Sequence, residues 1–135
     1  MSEEARFREY VAAFARADYA ALVGFYHPEV RLTIGTGREL VGREAIAAFY
    51  TQTNQETRRE IRIADCFAEG DRLAAELHST ITALLDNPGI WAPPMRAGDR
   101  LSIESFALYE LEGGLYRMIR AAVFRRTWLP QQGER

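Results

Sequence analysis

The apolar residues of the N-terminal third follow the spacing of amphipathic helices. Those between Phe7 and Phe14 fall at i, i+3, i+4 and i+7, which places them on one helical face. A second, short helix is predicted after Asp18, a favourable N-cap residue, and is expected to end at Pro28. Gly42 opens a third predicted helix, whose apolar face carries Ile46, Phe49 and Tyr50.

The remainder of the chain alternates apolar and polar residues, as β-strands do. Helices that precede a run of antiparallel strands indicate an α+β domain rather than a parallel α/β sheet. Gly35-Thr36-Gly37 reads as a turn, and Gly113-Gly114 is the strongest hairpin signal. The prediction is a single domain over residues 1–135, with its core at about 5–127 and a polar tail at 128–135. Candidate strands cover residues 30–34, 61–64, 72–85, 100–111 and 115–126.

Composition narrows the possible function classes. The chain has 135 residues, 47% of them hydrophobic and 27% charged, which suits one soluble domain. A net charge of −2 offers no positive field to nucleic acid, and no apolar run is long enough to span a membrane. The single cysteine, Cys66, cannot form an internal disulfide, and the acidic N-terminus does not resemble a signal peptide, so a cytoplasmic protein is expected. Two histidines and no phosphate-binding glycine motif predict no metal and no cofactor.

Four short segments, in this order and spacing, carry a resemblance to a known family: residues 10–14 (YVAAF), 18–22 (DYAAL), 25–30 (FYHPEV) and 42–50 (GREAIAAFY). With the Gly113-Gly114 hairpin, they make the chain similar to the nuclear transport factor 2-like superfamily, and within it to the SnoaL-like and ketosteroid isomerase-like group. The resemblance implies a cone-shaped, cystatin-like α+β roll, in which a strongly bent antiparallel sheet packs against three N-terminal helices around a mostly apolar pocket. Members of the group include isomerases, dehydratases, epoxide hydrolases, polyketide cyclases and proteins without catalysis.

The likeness to ketosteroid isomerases implies roles for three positions. A tyrosine of their first helix falls on Tyr10, and an acid of a late strand falls on Glu104; together these groups form the oxyanion hole of those enzymes. The catalytic base of those enzymes falls on Ile34, which cannot accept a proton. Steroid isomerisation with that base is therefore not expected, and any base must come from another position.

Strand alternation suggests where that base lies. If Glu104 faces the pocket, Glu76 and His78 of the preceding strand face it as well. Histidine is the usual general base near neutral pH, so we expect His78 to act with Tyr10 as hydrogen-bond donor and a carboxylate as its partner. The other face of these strands would be apolar and predicts a homodimer through Leu73, Leu77, Leu101, Ile103 and Tyr109. The alternative is the reverse parity, with these apolar residues in the core and the charged residues in solvent.

The function predicted from these residues is cofactor-independent acid–base catalysis on an apolar carbonyl or hydroxylated compound, by an isomerase, dehydratase or cyclase. The alternative is a non-catalytic ligand-binding or dimeric interaction module of the same fold. The segment around Trp91 either caps the pocket or reaches a partner subunit. The catalytic candidates are joined by a predicted pocket lining of Phe14, Leu22, Tyr26, Ile34, Phe49, Tyr50, Phe67, Thr80, Phe106, Ile119 and Ala121.

Overall fold

Three helices pack against a six-stranded sheet over residues 2–34, 37–88 and 95–129, which this computed structural model describes. Most of the strands follow the helices along the chain, so the prediction of an α+β domain is confirmed. The elements are α1 (Glu3–Ala15), α2 (Tyr19–Val23), β1 (Tyr26–Thr33), β2 (Glu39–Val41), α3 (Arg43–Glu56), β3 (Thr57–Glu69), β4 (Arg72–Ala83), β5 (Arg100–Glu112) and β6 (Leu115–Leu129).

Local sequence signals fix where the helices begin. The side chains of Ser2 and Asp18 each accept a hydrogen bond of 3.1 Å from the backbone amide three residues further on. Gly42 precedes α3 with a φ of 90°, a conformation that favours glycine. The second helix is shorter than predicted, because Tyr26 already begins β1 and Pro28 lies inside that strand.

The sheet is mixed and strongly curved. Its strand order is β2-β1-β6-β5-β4-β3, and within the described residues each neighbouring pair is antiparallel except β1 and β6, which run parallel. The parallel pair joins strands from opposite ends of the chain, a long-range contact that local patterning does not predict. The long strands lie near their predicted positions, although β6 continues to Leu129 and so includes the start of the predicted tail.

The two faces of the sheet have different surroundings. We call the face that carries the odd-numbered residues of β4 and β5 the inner face, since it packs against the helices. The outer face carries the even-numbered residues of the same strands. Leu73, Leu101, Ile103 and Tyr109 belong to the inner face, and each is at most 4% exposed.

This burial corrects the predicted strand parity. Leu73, Leu101 and Ile103 are core residues and do not form an exposed apolar face, so the original basis for a dimer is wrong. Fully burying a leucine or isoleucine side chain stabilises a fold by roughly 1.5–3 kcal/mol, whereas burying an unpaired charge is costly. These apolar residues of β4 and β5 therefore lie in the core and the charged residues face outward, as the reverse-parity alternative predicts. Homodimer formation itself stays a prediction.

Three sequence predictions fall partly or wholly outside the described residues. They concern the turn at 35–37, the segment around Trp91, and the tail from residue 130 onwards. Among the described helices, none combines the length and apolar character needed to cross a membrane.

Candidate ligand cavity

A cavity of about 110 Å³ lies between the helices and the inner face of the sheet. Its walls are largely apolar, and its polar atoms belong to tyrosines, two serines and one arginine. Helices α1 and α3 supply one wall, and strands β1, β3, β4, β5 and β6 supply the others. The lining residues are Tyr10, Val11, Phe14, Leu32, Ile34, Phe49, Tyr50, Arg59, Ile61, Leu77, Ser79, Ile103, Ser105, Ala107, Tyr109, Ile119, Ala121 and Val123.

Tyr10 lines this cavity from the middle of α1. Its oxygen lies 2.8 Å from the hydroxyl oxygen of Tyr26, and either group can donate the proton. Burial raises the pKa of both phenols well above the ordinary value, so both are protonated at neutral pH. When Tyr26 donates to Tyr10, the Tyr10 proton is free for a second acceptor. This arrangement suits the hydrogen-bond donor role expected for Tyr10.

Arg59 brings a positive charge to the cavity wall. It extends from β3 beside Phe14, whose ring centre lies 5.6 Å from the central guanidinium carbon. Phe14 in turn packs edge-on against Tyr50, with 4.5 Å between ring centres. Burial raises the pKa of the Tyr50 phenol, and the nearby charge of Arg59 opposes that rise. A phenol donor and a cation therefore lie side by side at this wall.

Among the described residues, the cavity lining contains no histidine and no carboxylate. Of the residues that the structure does not describe, 35–36 and 89–94 carry no histidine, aspartate, glutamate, cysteine or tyrosine in their sequence, whereas 130–135 include Glu134. The described cavity thus offers hydrogen-bond donors and one cation. It offers no conventional general base at neutral pH.

The predicted catalytic residues His78, Glu76 and Glu104 lie together, but on the outer face. His78 Nε2 is 2.6 Å from a Glu76 oxygen and 3.6 Å from a Glu104 oxygen. Arg62 lies 2.6 Å from His78 Nδ1, and because arginine only donates, Nδ1 accepts and Nε2 carries the proton toward Glu76. Arg125 pairs with Glu104 at 3.1 Å. The prediction that these three groups share the cavity with Tyr10 is wrong, since strand alternation sends them to the opposite side of the sheet.

Comparison with known proteins assigns the family. Residues 7–119 match the SnoaL-like domain. The chain belongs to the SnoaL-like domain family. The match runs from α1 into β6 and so includes every element that contributes to the cavity. Among curated proteins, none matches the chain.

Solved structures share the fold of this SnoaL-like domain. A candidate polyketide cyclase from Xanthomonas campestris is 23% identical, with 86% of this chain and 85% of that chain covered and a TM-score of 0.75. A candidate polyketide cyclase from Pseudomonas putida is 27% identical, with 83% and 84% covered and a TM-score of 0.69. An LEH-like epoxide hydrolase from M. tuberculosis is 11% identical, with 84% and 76% covered and a TM-score of 0.68.

The other predicted pocket residues divide into two groups in this SnoaL-like domain. Phe14, Ile34, Phe49, Tyr50, Ile119 and Ala121 line the cavity. The remaining five do not line it. Leu22 and Tyr26 are buried in the core beside the cavity. Thr80, Phe67 and Phe106 lie on the outer face, where the two phenylalanines are 62% and 53% exposed. The parity error explains Thr80 and Phe106, which are even-numbered residues of β4 and β5.

Sequence reasoning missed four polar side chains of the cavity: Arg59, Ser79, Ser105 and Tyr109, the last of which was assigned to the dimer face. Ser79 and Ser105 fall on the inner face together with Leu77 and Ile103, so the reverse parity would have found them. Arg59 precedes the segment predicted as a strand, which began at residue 61, whereas β3 begins at Thr57. The described residues hold no group of three or more histidine, cysteine, aspartate or glutamate side chains that could bind a metal ion.

Proposed function

We propose that this SnoaL-like domain binds an apolar small molecule in the cavity and holds one of its oxygen atoms by hydrogen bonds. The observation that supports this is the lining itself, in which apolar walls surround protonated phenols and a guanidinium group. Ligand pockets typically combine such walls with a few polar groups that orient the ligand. The function is therefore the ligand-binding alternative predicted from the sequence.

The size of the cavity limits the ligand. About 110 Å³ is close to the roughly 150 Å³ of an engineered cavity that accepts benzene. Pockets for drug-sized molecules are larger, at roughly 300–1,000 Å³. The volume therefore limits the ligand to one small ring, and an oxygen-bearing substituent must reach beyond the cavity or displace its walls.

A second candidate function is catalysis through enolisation of a carbonyl compound. It is favoured by the 27% identity to the candidate polyketide cyclase from Pseudomonas putida. Enolisation needs donors at the developing oxyanion, a role suited to Tyr10 and Arg59. It also needs a base, and the described cavity lining has no histidine or carboxylate to serve as one. Binding is therefore the better-supported function.

A cavity-filling variant tests the proposed binding. Cyclohexanone, acetophenone and benzyl alcohol are titrated into the protein and followed by amide chemical shifts in NMR spectra. We expect saturable shifts at cavity residues, and we expect Ala121→Phe to abolish them, because Ala121 lines the cavity. Ala12→Phe is the control, since the Ala12 side chain is exposed on α1 and lines neither the cavity nor the outer face of the sheet. Equal binding by both variants, or no binding by the native protein, would refute the proposal.

The same samples distinguish binding from catalysis. In deuterated water, enolisation exchanges the α-hydrogens of cyclohexanone or acetophenone for deuterium, which NMR detects directly. If the protein only binds, exchange proceeds at the rate seen in buffer. Exchange that the protein accelerates, and that Tyr10→Phe slows, would instead support the second candidate function.

We also propose that the domain forms a homodimer through its outer face. Phe67, Phe106 and Phe124 are 62%, 53% and 44% exposed there. The rings of Phe106 and Phe124 stack with 4.5 Å between their centres, which makes the exposed apolar surface continuous. A contiguous apolar patch on a protein surface is typical of an interaction site. This surface replaces the inner-face residues from which the dimer was first predicted.

A further inference from the structure

Within the described part of the chain, Arg59 is a cation without an ionic partner. The ion pairs of the described residues do not include it, and the other described side chains that line the cavity are uncharged. Its Nε atom is buried and makes no hydrogen bond within the described part of the chain. One of the five N–H donors of the guanidinium group is therefore withdrawn from solvent and unused, while the same group hydrogen-bonds to Tyr50.

An unused donor in an apolar wall is costly, particularly when the group is charged. Proteins normally compensate a buried charge with an opposite charge and hydrogen bonds. The guanidinium group presents its donors as a planar fork, which matches the two oxygens of a carboxylate. Because Arg59 lines the cavity, it can supply the cationic half of such a pair.

The surroundings of Arg59 favour an anion over a neutral oxygen. A surface groove adjoins the cavity, and the two share Phe14, Tyr50 and Arg59 as a common wall. Arg16 and Arg58 also line this groove, while Glu60 is its acidic residue. Arg16 is paired with Asp18 at 3.3 Å, so Arg58 and Arg59 leave the groove with a positive excess. Such a field attracts anions toward the common wall.

We propose that the ligand of this cavity is a small cyclic carboxylic acid, whose ring occupies the apolar interior and whose carboxylate pairs with Arg59. The inference rests on the proposed binding function and adds the charge of the ligand to it. Tyr50, beside Arg59, supplies a phenol hydroxyl at the same wall. The substrate class is thus an aromatic or alicyclic acid rather than a neutral alcohol or ketone.

Pairs of probes that differ only in charge test this inference. Benzoate is compared with benzamide, and cyclohexanecarboxylate with cyclohexanecarboxamide, at neutral pH and low salt by NMR titration or calorimetry. Each amide has nearly the shape of its acid and lacks the negative charge. We expect each carboxylate to bind at least about tenfold more tightly than its amide, because charge-assisted hydrogen bonds are stronger than neutral ones.

Variants then locate the preference. Arg59→Gln should remove the difference between acid and amide, and Arg59→Lys should retain part of it, because lysine keeps the charge but not the planar fork. Arg62→Gln is the control, since it makes the same change on the same strand but on the outer face. The acid–amide comparison in the native protein stays informative even if an Arg59 variant is unstable.

The outcomes separate the two proposals. If acids and amides bind equally to the native protein, the anionic ligand is refuted. If Arg59→Gln preserves the preference for acids, the pairing with Arg59 is refuted. In both cases the cavity remains a binding site. If neither acids, amides nor the neutral probes bind, the proposed function itself fails and the inference fails with it. A preference for acids that only the Arg59 variants diminish supports both.

Discussion

Replacing Tyr10 with phenylalanine removes one hydroxyl from a buried pair and is expected to destabilise the fold. Tyr10 and Tyr26 are 5% and 0% exposed, and their hydroxyl oxygens lie 2.8 Å apart. No other partner of the Tyr26 hydroxyl occurs among the described residues, so the substitution leaves that hydroxyl buried and unpaired. Leaving a buried hydroxyl without a partner costs roughly 1–3 kcal/mol. We expect a loss of that size in the free energy of unfolding.

Tyr116→Phe is the matched comparison and should have the opposite effect. The Tyr116 ring lies 5.1 Å from the Tyr10 ring and is fully buried, but its hydroxyl has no hydrogen-bond partner within the described residues. Both substitutions remove a single oxygen and keep the ring, so the buried apolar surface hardly changes. Removing an unpaired hydroxyl relieves a penalty of roughly 1–3 kcal/mol. Tyr116→Phe is therefore expected to leave stability unchanged or to increase it.

Urea unfolding measures both effects. The midpoint should fall for Tyr10→Phe and should not fall for Tyr116→Phe, with an unchanged slope in both variants. The double variant Tyr10→Phe/Tyr26→Phe should be more stable than the sum of its single changes predicts, because it removes both hydroxyls of the pair and leaves neither one buried without its partner. Equal destabilisation by Tyr10→Phe and Tyr116→Phe would refute the reasoning, since it would mean that the Tyr116 hydroxyl has a partner of similar strength.

Three further results are expected. Stability should fall as the pH rises above about 10, the ordinary pKa of tyrosine. Burial raises the pKa of Tyr10 and Tyr26, so in this range the folded state keeps protons that the unfolded state releases. A urea midpoint that stays constant as the pH rises would contradict this. The native protein should not isomerise a Δ5-3-ketosteroid in an absorbance assay, because Ile34 lines the cavity where the resemblance to ketosteroid isomerases places the base, and isoleucine cannot accept a proton. Ile34→Asp should gain measurable activity. Phe106→Asp should convert a native dimer to a monomer in light scattering, and a native monomer would refute the proposed interface.

The fold was predictable because its signals are local or follow from a chain-long resemblance. The cap at Asp18, the glycine at Gly42 and the Gly113-Gly114 hairpin each act within a few residues of the chain. Their order and spacing carry the likeness to the SnoaL-like group. The match of residues 7–119 to the SnoaL-like domain confirms that likeness. The parallel pairing of β1 with β6 lacks a local signal, since it depends on how the curved sheet brings distant strands together.

The strand parity could have been decided from energies alone. Placing Glu76, His78 and Glu104 inside would have required Leu73, Leu101 and Ile103 to face outward. Each of those apolar side chains stabilises the fold by roughly 1.5–3 kcal/mol when buried, whereas buried charges need partners to avoid a penalty. The resemblance to ketosteroid isomerases assigned Glu104 by sequence position, and that assignment does not take the burial of its neighbours into account.

The choice of parity also decides which chemistry the cavity can perform. The alternation that gathers His78 with Glu76 and Glu104 on the outer face removes every conventional general base from the described lining. The inner face receives two serines from the same strands, Ser79 and Ser105. Because the general bases lie on the outer face, the cavity can offer a ligand hydrogen-bond donors, chiefly the hydroxyl of Tyr10 and the guanidinium group of Arg59. A shift of one residue in the assumed register thus changes the expected ligand interaction from proton abstraction to the recognition of an oxygen-bearing, and by our inference anionic, group.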